Sequence, residues 1–373
     1  NRISPEAPVP VFLANDKKYV LGGAGNVLNN LISVGVDVTF ISIIGKDDIG
    51  KKIKYLLKKN YKKKFFLYED ISYTSVCKTR YLANNQQIIR VDEEKNISIS
   101  NAAKKFILKI FYAQIKNKNV VILSDYNKGL LTNDVCREII KISNKLKIPV
   151  IVDPKNKDFN IYKGASLVTP NQIEAGNIAQ RECSTDKQAE TCCRIIMNKY
   201  KIKSVMITRS EKGLTYMDNK IIYHAPTKKI EVYDVSGAGD TVLAILSVCF
   251  SIKLNIKHSL FLANKAAGIV IGKIGTSAVN KYDLIDSLKS SYKQKILSLK
   301  ELKSKISLDR KNNLNIGFTN GCFDILHKGH ITYLEESKEL CDKLIIAINS
   351  DKSVRKIKGS NRPVNNEKDR AEV

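Results

Sequence analysis

Between residues 120 and 217, short apolar runs at 120–124, 150–152, 166–169 and 204–208 alternate with stretches whose apolar residues recur at helical spacing, near 139–146 and 189–200. Runs this short read as buried strands, and the longer stretches read as helices. Strands alternating with helices build a mainly parallel sheet covered on both faces, so the pattern predicts an α/β fold. Upstream, a short apolar strand at 19–21 leads into Gly22-Gly23-Ala24-Gly25-Asn26 and a helix marked by Val27, Leu28, Leu31, Ile32 and Val34, and another strand covers 38–44. Tyr81, Leu82, Ile88, Ile89 and Val91 frame a polar centre at 84–87, which predicts a hairpin with Arg90 on its return strand. Three prolines within residues 1–11 suit an edge strand or a lid.

Ligands of open parallel sheets sit at the carboxyl ends of the strands. Four successive strands deliver polar loops to that edge: Asp125-Tyr126-Asn127-Lys128-Gly129, Asp153-Pro154-Lys155, Pro170-Asn171-Gln172-Ile173-Glu174 and Arg209-Ser210-Glu211-Lys212-Gly213. One such loop is an ordinary turn, but four on one edge predict a substrate cleft. The most pointed stretch runs from Glu231 to Thr241: a strand, the tight turn Gly237-Ala238-Gly239, and then an apolar helix through 242–250. Small residues there let successive backbone N–H groups converge at a helix start, where the dipole favours an anion. Asp240, in the first helical turn, would take a proton from an attacking hydroxyl, and the pair of features points to phosphoryl transfer. The plain alternative is an Asp that stabilises the helix dipole and does no chemistry.

Two glycine loops resemble known phosphate cradles without completing them. After Gly23 and Gly25 the third position of a dinucleotide fingerprint is Leu28. The loop from Gly45 to Lys52 nearly spells a P-loop, but Lys52 replaces the magnesium-binding Ser or Thr, and Asp47 and Asp48 put negative charge where phosphate would bind. It is rejected as a P-loop.

A second pattern starts at Leu314: a strand ending near Gly321, a helix through 333–340 and a strand at 343–349, which together make a βαβ unit. His327 and His330 stand three apart at the head of its helix, where they would hold a triphosphate, with Lys356, Lys358 and Arg362 adding charge. A bland helix cap ranks second, and a zinc site from Cys322, His327, His330 and Cys341 ranks third, because their spacing fits no finger pattern. The Lys-rich residues 288–313 read as a helical linker. The expected partition is 1–286, 287–313 and 314–373.

The 373 residues, 43% hydrophobic, leave room for two domains. A net charge of +26 raises the prospect of a nucleic-acid partner. The basic residues are nevertheless spread along the chain, without an aromatic-interleaved patch, so a solvated basic surface and no nucleic-acid partner is the favoured reading. Eight cysteines form no C-x-x-C pair, and two of them, Cys192 and Cys193, are adjacent, which argues against a disulfide framework and for a reducing cytoplasm. No apolar run nears the roughly 20 residues of a spanning helix, and no signal peptide or membrane association is expected.

Taken together, Gly22 to Asn26 with Gly45 to Gly50, and Asp234 to Asp240, resemble the two signatures of the ribokinase-like sugar kinases. Gly321-Cys322-Phe323-Asp324 through His327-Lys328-Gly329-His330 resembles the cytidylyltransferase-like nucleotidyltransferases. In this order on one chain they resemble the bifunctional family of bacterial heptose activation, and the likeness extends to Arg2 to Val11, residues 85–90, Ser124 to Tyr126 and Asn349 to Asp351. The resemblance implies a ribokinase-like three-layer sandwich with a small β lid, followed by an incomplete Rossmann-like nucleotidyltransferase unit. It implies ATP-dependent phosphorylation of D-glycero-β-D-manno-heptose 7-phosphate at carbon 1 and, in the complete chain, adenylyl transfer from ATP to heptose 1-phosphate, giving ADP-heptose for lipopolysaccharide core. Other sugar or nucleoside kinases of the first family are the alternative.

By the same resemblance Asp240 is the kinase base and Gly237, Ala238 and Gly239 its anion hole. Asn171, Gln172, Ile173 and Glu174 match the ATP and magnesium loop, with Glu174 near a Mg2+ carried by ATP and no direct protein ligand set. Thr208, Arg209, Gly213 and Gly275 flank the nucleotide. Gly22, Gly23, Asn26, Arg90 and Lys155 face the sugar phosphate. Gly321, Phe323, Asp324, His327, His330 and Lys358 serve adenylyl transfer. A homodimer through the lid is implied, as is a first strand ahead of Asn1 carrying a sugar-binding carboxylate, so the chain is expected to be a fragment. Gly176 would cost a helix about 1 kcal/mol, which predicts a disturbed helix after Glu174.

Overall fold

The computed structural model describes every residue except 1, 4–5, 8–9, 12–14, 62–63, 84–85, 96–97, 226–236, 273–277, 289–294 and 312–313. The strand expected over 231–235, the tip of the hairpin and Gly275 lie outside the described residues. The chain divides into two compact units, Asn1–Leu284 and Ile285–Val373.

The first unit opens with β1 (Arg2–Ile3) paired antiparallel to β2 (Pro10–Val11), then α1 (Ala24–Ser33). Next come β3 (Phe40–Gly45), α2 (Asp48–Asn60) and β4 (Phe65–Asp70), with β3 and β4 parallel. The hairpin β5 (Cys77–Ala83) and β6 (Gln86–Glu93) is antiparallel, as its framing apolar residues predict. After α3 (Asn101–Gln114) follow β7 (Val121–Ser124), α4 (Asn133–Lys145), β8 (Val150–Asp153), β9 (Leu167–Val168), α5 (Gln172–Ala179), α6 (Asp186–Tyr200) and β10 (Ser204–Thr208). The unit closes with β11 (Leu214–Asp218), β12 (Ile222–Ala225), α7 (Ala238–Ser251) and α8 (Ile256–Ile271); α9 (Lys281–Leu288) carries the boundary.

The main sheet runs β12-β11-β10-β9-β8-β7, with β7 to β10 parallel and β11 and β12 antiparallel. Strand parity sorts its side chains into two cores. Val150, Val152, Val168, Val205 and Ile207 point to one face, where they pack with α3, α4 and α6 residues such as Ile107, Ile139 and Ile196. Ile151, Leu167 and Met206 point to the other, against Val27 and Leu31 of α1, Leu243 and Leu246 of α7 and Leu260 of α8. The central strands β8, β9 and β10 are therefore buried on both faces, which is why the sequence shows continuous apolar runs there rather than alternation. The result is the three-layer sandwich expected.

Three local expectations need correction. Residues 19–21 form no strand; Tyr19 and Val20 are exposed and only Leu21 is buried, so the run finds no pairing edge. The helix after Glu174 is intact through Gly176. A Cβ there would lie 2.9 Å from the carbonyl oxygen of Arg181, so the glycine permits a close turn back onto the helix rather than breaking it. The linker is not one continuous helix: α10 covers Leu299–Lys311, and residues 295–298 ahead of it are turn or irregular.

In the second unit β13 (Ile316–Gly321), α11 (Lys328–Glu339) and β14 (Lys343–Ile348) form the parallel βαβ unit, followed by α12 (Asp351–Lys358) and α13 (Glu367–Glu372). Arg370, almost wholly buried, ties it together by donating to the carbonyls of Cys322 and Asn349 and to Asp351.

Candidate active site

Two helices bring the central pair together. Gly23, at φ 55°, starts α1, and Gly237, at φ 86°, starts α7; both take a positive φ that suits glycine. The two helices share one core, which sets Asn26 beside Asp240 across 214 residues of sequence. Asn26 Nδ2 donates to Asp240 Oδ2 at 2.8 Å, and the Tyr126 hydroxyl, just beyond β7, donates to Asp240 Oδ1 at 2.5 Å. Asn26 is fully buried, and its Oδ1 has no hydrogen-bond partner among the described residues, an acceptor suited to a ligand hydroxyl. Deeper in, Asn30 Oδ1 accepts from Thr241 Oγ1 and from the N–H of Val279, locking α1 to α7.

Burial pushes the Asp240 carboxyl above its ordinary range, while the donors Tyr126 and Asn26 and the nearby Lys155 ammonium pull it back. Asp153, at the end of β8, is pushed up to about 7, first by burial and then by the charges of Asp240 and Glu174, against the pull of Lys155. Burial opposes the charge on Lys155, but Asp153 and Glu174 outweigh it and raise its pKa. Lys155 Nζ donates to Glu174 Oε1 at 2.5 Å. Glu174 also closes a capping box, its Oε2 accepting from the N–H of Asn171 at 2.8 Å while Asn171 Oδ1 accepts from the N–H of Glu174 at 2.9 Å. The arrangement is a buried carboxyl, Asp240, near a cation, Lys155, and two further acids, Asp153 and Glu174.

Gly22, Gly23, Tyr126, Lys155, Gly237 and Asp240 line one cavity of about 2760 Å3, which continues between β3 and β7. Among the described residues each of those strands pairs on one side only, β3 with β4 and β7 with β8. No side chain caps the start of α7, and a Cβ on Gly239 would meet open space, so the first N–H groups of this helix are presented as an anion site. The corresponding start of α2 is filled: Asp47 accepts from the N–H of Gly50 at 2.6 Å and from that of Ser75 at 2.8 Å. That is the physical basis for rejecting a P-loop there.

Other expected site residues lie apart from this cavity. Arg90 stands on the hairpin and pairs with Asp92 at 2.9 Å. Ile173 is largely exposed beside Gln172 at the first turn of α5. Thr208 bridges to Asn171 at the ends of β10 and β9. Arg209 is buried, its guanidinium 2.5 Å from Asp186 at the start of α6, and its backbone N–H is held by the carbonyl of Gly213 at 2.8 Å. Tyr126 and Asp153 are site residues that sequence reasoning did not single out, although both sat in the strand-end loops that predicted the cleft.

In the second unit a smaller cavity of about 440 Å3 is lined by Asp324, Ile325, His327, His330, Lys358 and Arg362. His327 N-caps α11 and its ring lies 4.0 Å from that of His330 between centroids. His330 Nδ1 is buried without a partner among the described residues, and Phe323 packs edge-on to its ring at 5.5 Å. A Cβ on Gly321 would sit 2.8 Å from the Phe323 ring, so only glycine admits that ring. Asp324 accepts from Arg362 at 2.8 Å and from the N–H of Val364 at 2.6 Å. The zinc alternative fails: Cys341 follows the far end of α11, its thiol directed to the carbonyl of Ser337, and among the described residues no three His, Cys, Asp or Glu gather around a metal position.

A family model of the pfkB family carbohydrate kinases matches residues 2–282, and a cytidylyltransferase-like model matches residues 318–373. The "Bifunctional protein HldE" of Rhodospirillum rubrum is 38% identical over 100% of this chain and 76% of its own length. That of Campylobacter jejuni (strain RM1221) is 43% identical, again over 100% of this chain and 78% of its own. Among solved structures, the tetrameric inhibited form of phosphofructokinase-2 from Escherichia coli superimposes with a TM-score of 0.64 at 16% identity, over 75% of this chain and 90% of that one. Arabidopsis thaliana ribokinase complexed with ribose and ATP gives 0.61 at 17% identity, over 75% and 91%. These two similarities are of fold. With the kinase model over the first unit, the cytidylyltransferase-like model over the second and full-length identity near 40%, the chain belongs to the pfkB carbohydrate kinases and, along its whole length, to the bifunctional HldE family.

Proposed function

We propose that the first unit transfers the γ-phosphoryl group of ATP to the carbon-1 hydroxyl of D-glycero-β-D-manno-heptose 7-phosphate. The observation that carries this reading is Asp240, buried at the uncapped head of α7 and held by Asn26 and Tyr126. Asp240 takes the hydroxyl proton as the sugar oxygen bonds to phosphorus and the bond to the ADP oxygen breaks. The N–H groups of Ala238 and Gly239 receive the charge on the transferring group, and the glycine turn lets it approach. Lys155, charged among Asp153 and Glu174, supplies a cation at the same edge. Gly22, Gly23 and Asn26 are assigned to the sugar and Arg90 to its phosphate. The nucleotide is assigned to the ends of β9 and β10, from Asn171 to Glu174 and around Thr208, Arg209 and Gly213, with Gly275 beyond. Mg2+ would enter on the ATP phosphates near Glu174 and neutralise their charge.

The second unit is assigned adenylyl transfer from ATP to heptose 1-phosphate, with release of pyrophosphate and formation of ADP-heptose. His327, His330 and Lys358 line the cavity that would take the triphosphate, and Gly321, Phe323 and Asp324 shape its wall. A cytoplasmic setting fits these substrates, and among the described residues no helix is long and apolar enough to cross a membrane. The kinase partition is kept at 1–286, with a linker at 287–313 and the transferase from 314. The exposed apolar residues of β5 and β6 support a homodimer through this hairpin.

The test is phosphorus NMR of the chain with Mg-ATP and heptose 7-phosphate, with fructose 6-phosphate and ribose in parallel. A heptose bisphosphate signal is expected. Asp240→Asn should lower its rate at least about a hundredfold while ATP binding persists. Turnover of another sugar alone would replace the substrate, and near-normal turnover by Asp240→Asn would remove the base.

A further inference from the structure

We propose that Tyr126 is a positioning residue: its hydroxyl fixes the Asp240 carboxylate in the orientation that meets the sugar hydroxyl, and its ring ties that orientation to the Gly22-Gly23 turn. The first half rests on the 2.5 Å bond from the Tyr126 hydroxyl to Asp240 Oδ1, with Asn26 holding Oδ2. A carboxylate offers about four lone-pair directions. One donor on each oxygen stops rotation about the carboxyl axis and leaves the second direction on each oxygen open. The second half rests on Gly23. A Cβ at that position would lie 3.2 Å from Cε2 of the Tyr126 ring, so the ring lies directly against the backbone of the turn. Tyr126, Gly22, Gly23 and Asp240 all line the same cavity.

Tyr126 remains a donor throughout, because burial first, and then the Asp240 charge, raise its pKa far above neutrality. It also acts on the ionisation of the base. The groups facing Asp240 are Asp153 and Lys155 at the end of β8, Glu174 of α5 through Lys155, and Tyr126 itself. Burial disfavours the charged carboxylate, whereas Tyr126, Asn26 and Lys155 favour it. Losing the Tyr126 hydroxyl therefore raises the pKa of Asp240, and the acid limb of the pH–rate profile moves to higher pH.

The proposal rests on Asp240 being the kinase base, and the test separates the two. In the full chain carrying Tyr126→Phe, kcat should fall about tenfold, with the KM for the sugar phosphate within about threefold, and the acid limb of kcat/KM should move upward. In parallel, carboxyl-13C aspartate labelling reads the titration of Asp240 directly, its resonance identified by its disappearance in Asp240→Asn. That titration should also move upward in Tyr126→Phe, whether or not any sugar is turned over. Should Tyr126→Phe fail to fold, the unsubstituted chain still decides: the Tyr126 hydroxyl proton should be protected from exchange and should shift with the Asp240 titration. An unmoved Asp240 titration in Tyr126→Phe, or a freely exchanging hydroxyl proton, overturns the proposal. A moved titration without sugar turnover upholds it and removes the substrate assignment instead.

Discussion

Among the described residues Asp153 has no donor strong enough to offset its burial: Thr169 Oγ1 lies 3.4 Å away and Lys155 is shared with Glu174. Its folded pKa, about 7, is above the ordinary carboxylate value near 3.9. The unfolded chain therefore gives up this proton first as pH rises, and stability is lost progressively between about pH 4 and pH 7, with the full cost present above that. Asp153→Asn removes this loss. Urea unfolding should show the variant gaining on the unsubstituted protein as pH rises from 4 to 8, by on the order of a few kcal/mol, since a tenfold change in acidity is worth about 1.4 kcal/mol; a constant difference across that range would refute it. Little of this was visible in the sequence. Asp240 was legible because its position relative to a glycine turn is local, four residues of chain at most. The bonds from Tyr126 and Asn26 to Asp240 span 114 and 214 residues, and no local pattern encodes them.

Elements were legible where local chemistry and burial agreed. The helices α5 and α6 both begin with a capping box, Asn171 with Glu174 and Thr185 with Gln188, and the strands β8 and β10 are continuous apolar runs buried on both faces. Where propensity stood alone it misled: residues 19–21 have strand-forming side chains but no partner, and Gly176 looks like a helix breaker until the carbonyl of Arg181 is placed beside it. Gly176→Ala should accordingly destabilise the protein by about 1–3 kcal/mol despite alanine's better helix propensity, because a methyl group meets backbone that cannot swing away. A chemical denaturation midpoint measures it, and an unchanged or raised midpoint would show that the turn at Arg181 yields. The linker shows the opposite limit. Its Leu and Ile spacing is helical, but the start of α10 is set by Ser298 and Glu301, whose side chains accept from each other's backbone N–H groups, and not by the periodicity.

At the scale of the whole molecule the chain divides into two compact units, and in each a glycine-containing turn leads into a helix at the candidate site, whereas the +26 charge points to neither site. The proposed homodimer is placed at the hairpin because Tyr81, Leu82, Ile88, Ile89 and Val91 are all exposed on its two short strands. Ile89→Glu should convert a dimer to a monomer in sedimentation velocity, with the fold of the first unit retained by circular dichroism; a mass unchanged by the substitution would place the interface elsewhere. Two helix starts close behind a glycine, α2 after Gly45 and α7 after Gly237, are each polarised to attract phosphate. At α2 the Asp47 carboxylate is joined to the loop it fills, so it competes at the effective concentration of a tethered ligand, millimolar or more. Free nucleotide gains little there. Self-occupation of one helix start thus leaves the other as the productive destination, and the selectivity between two similar turns comes from a single built-in competitor.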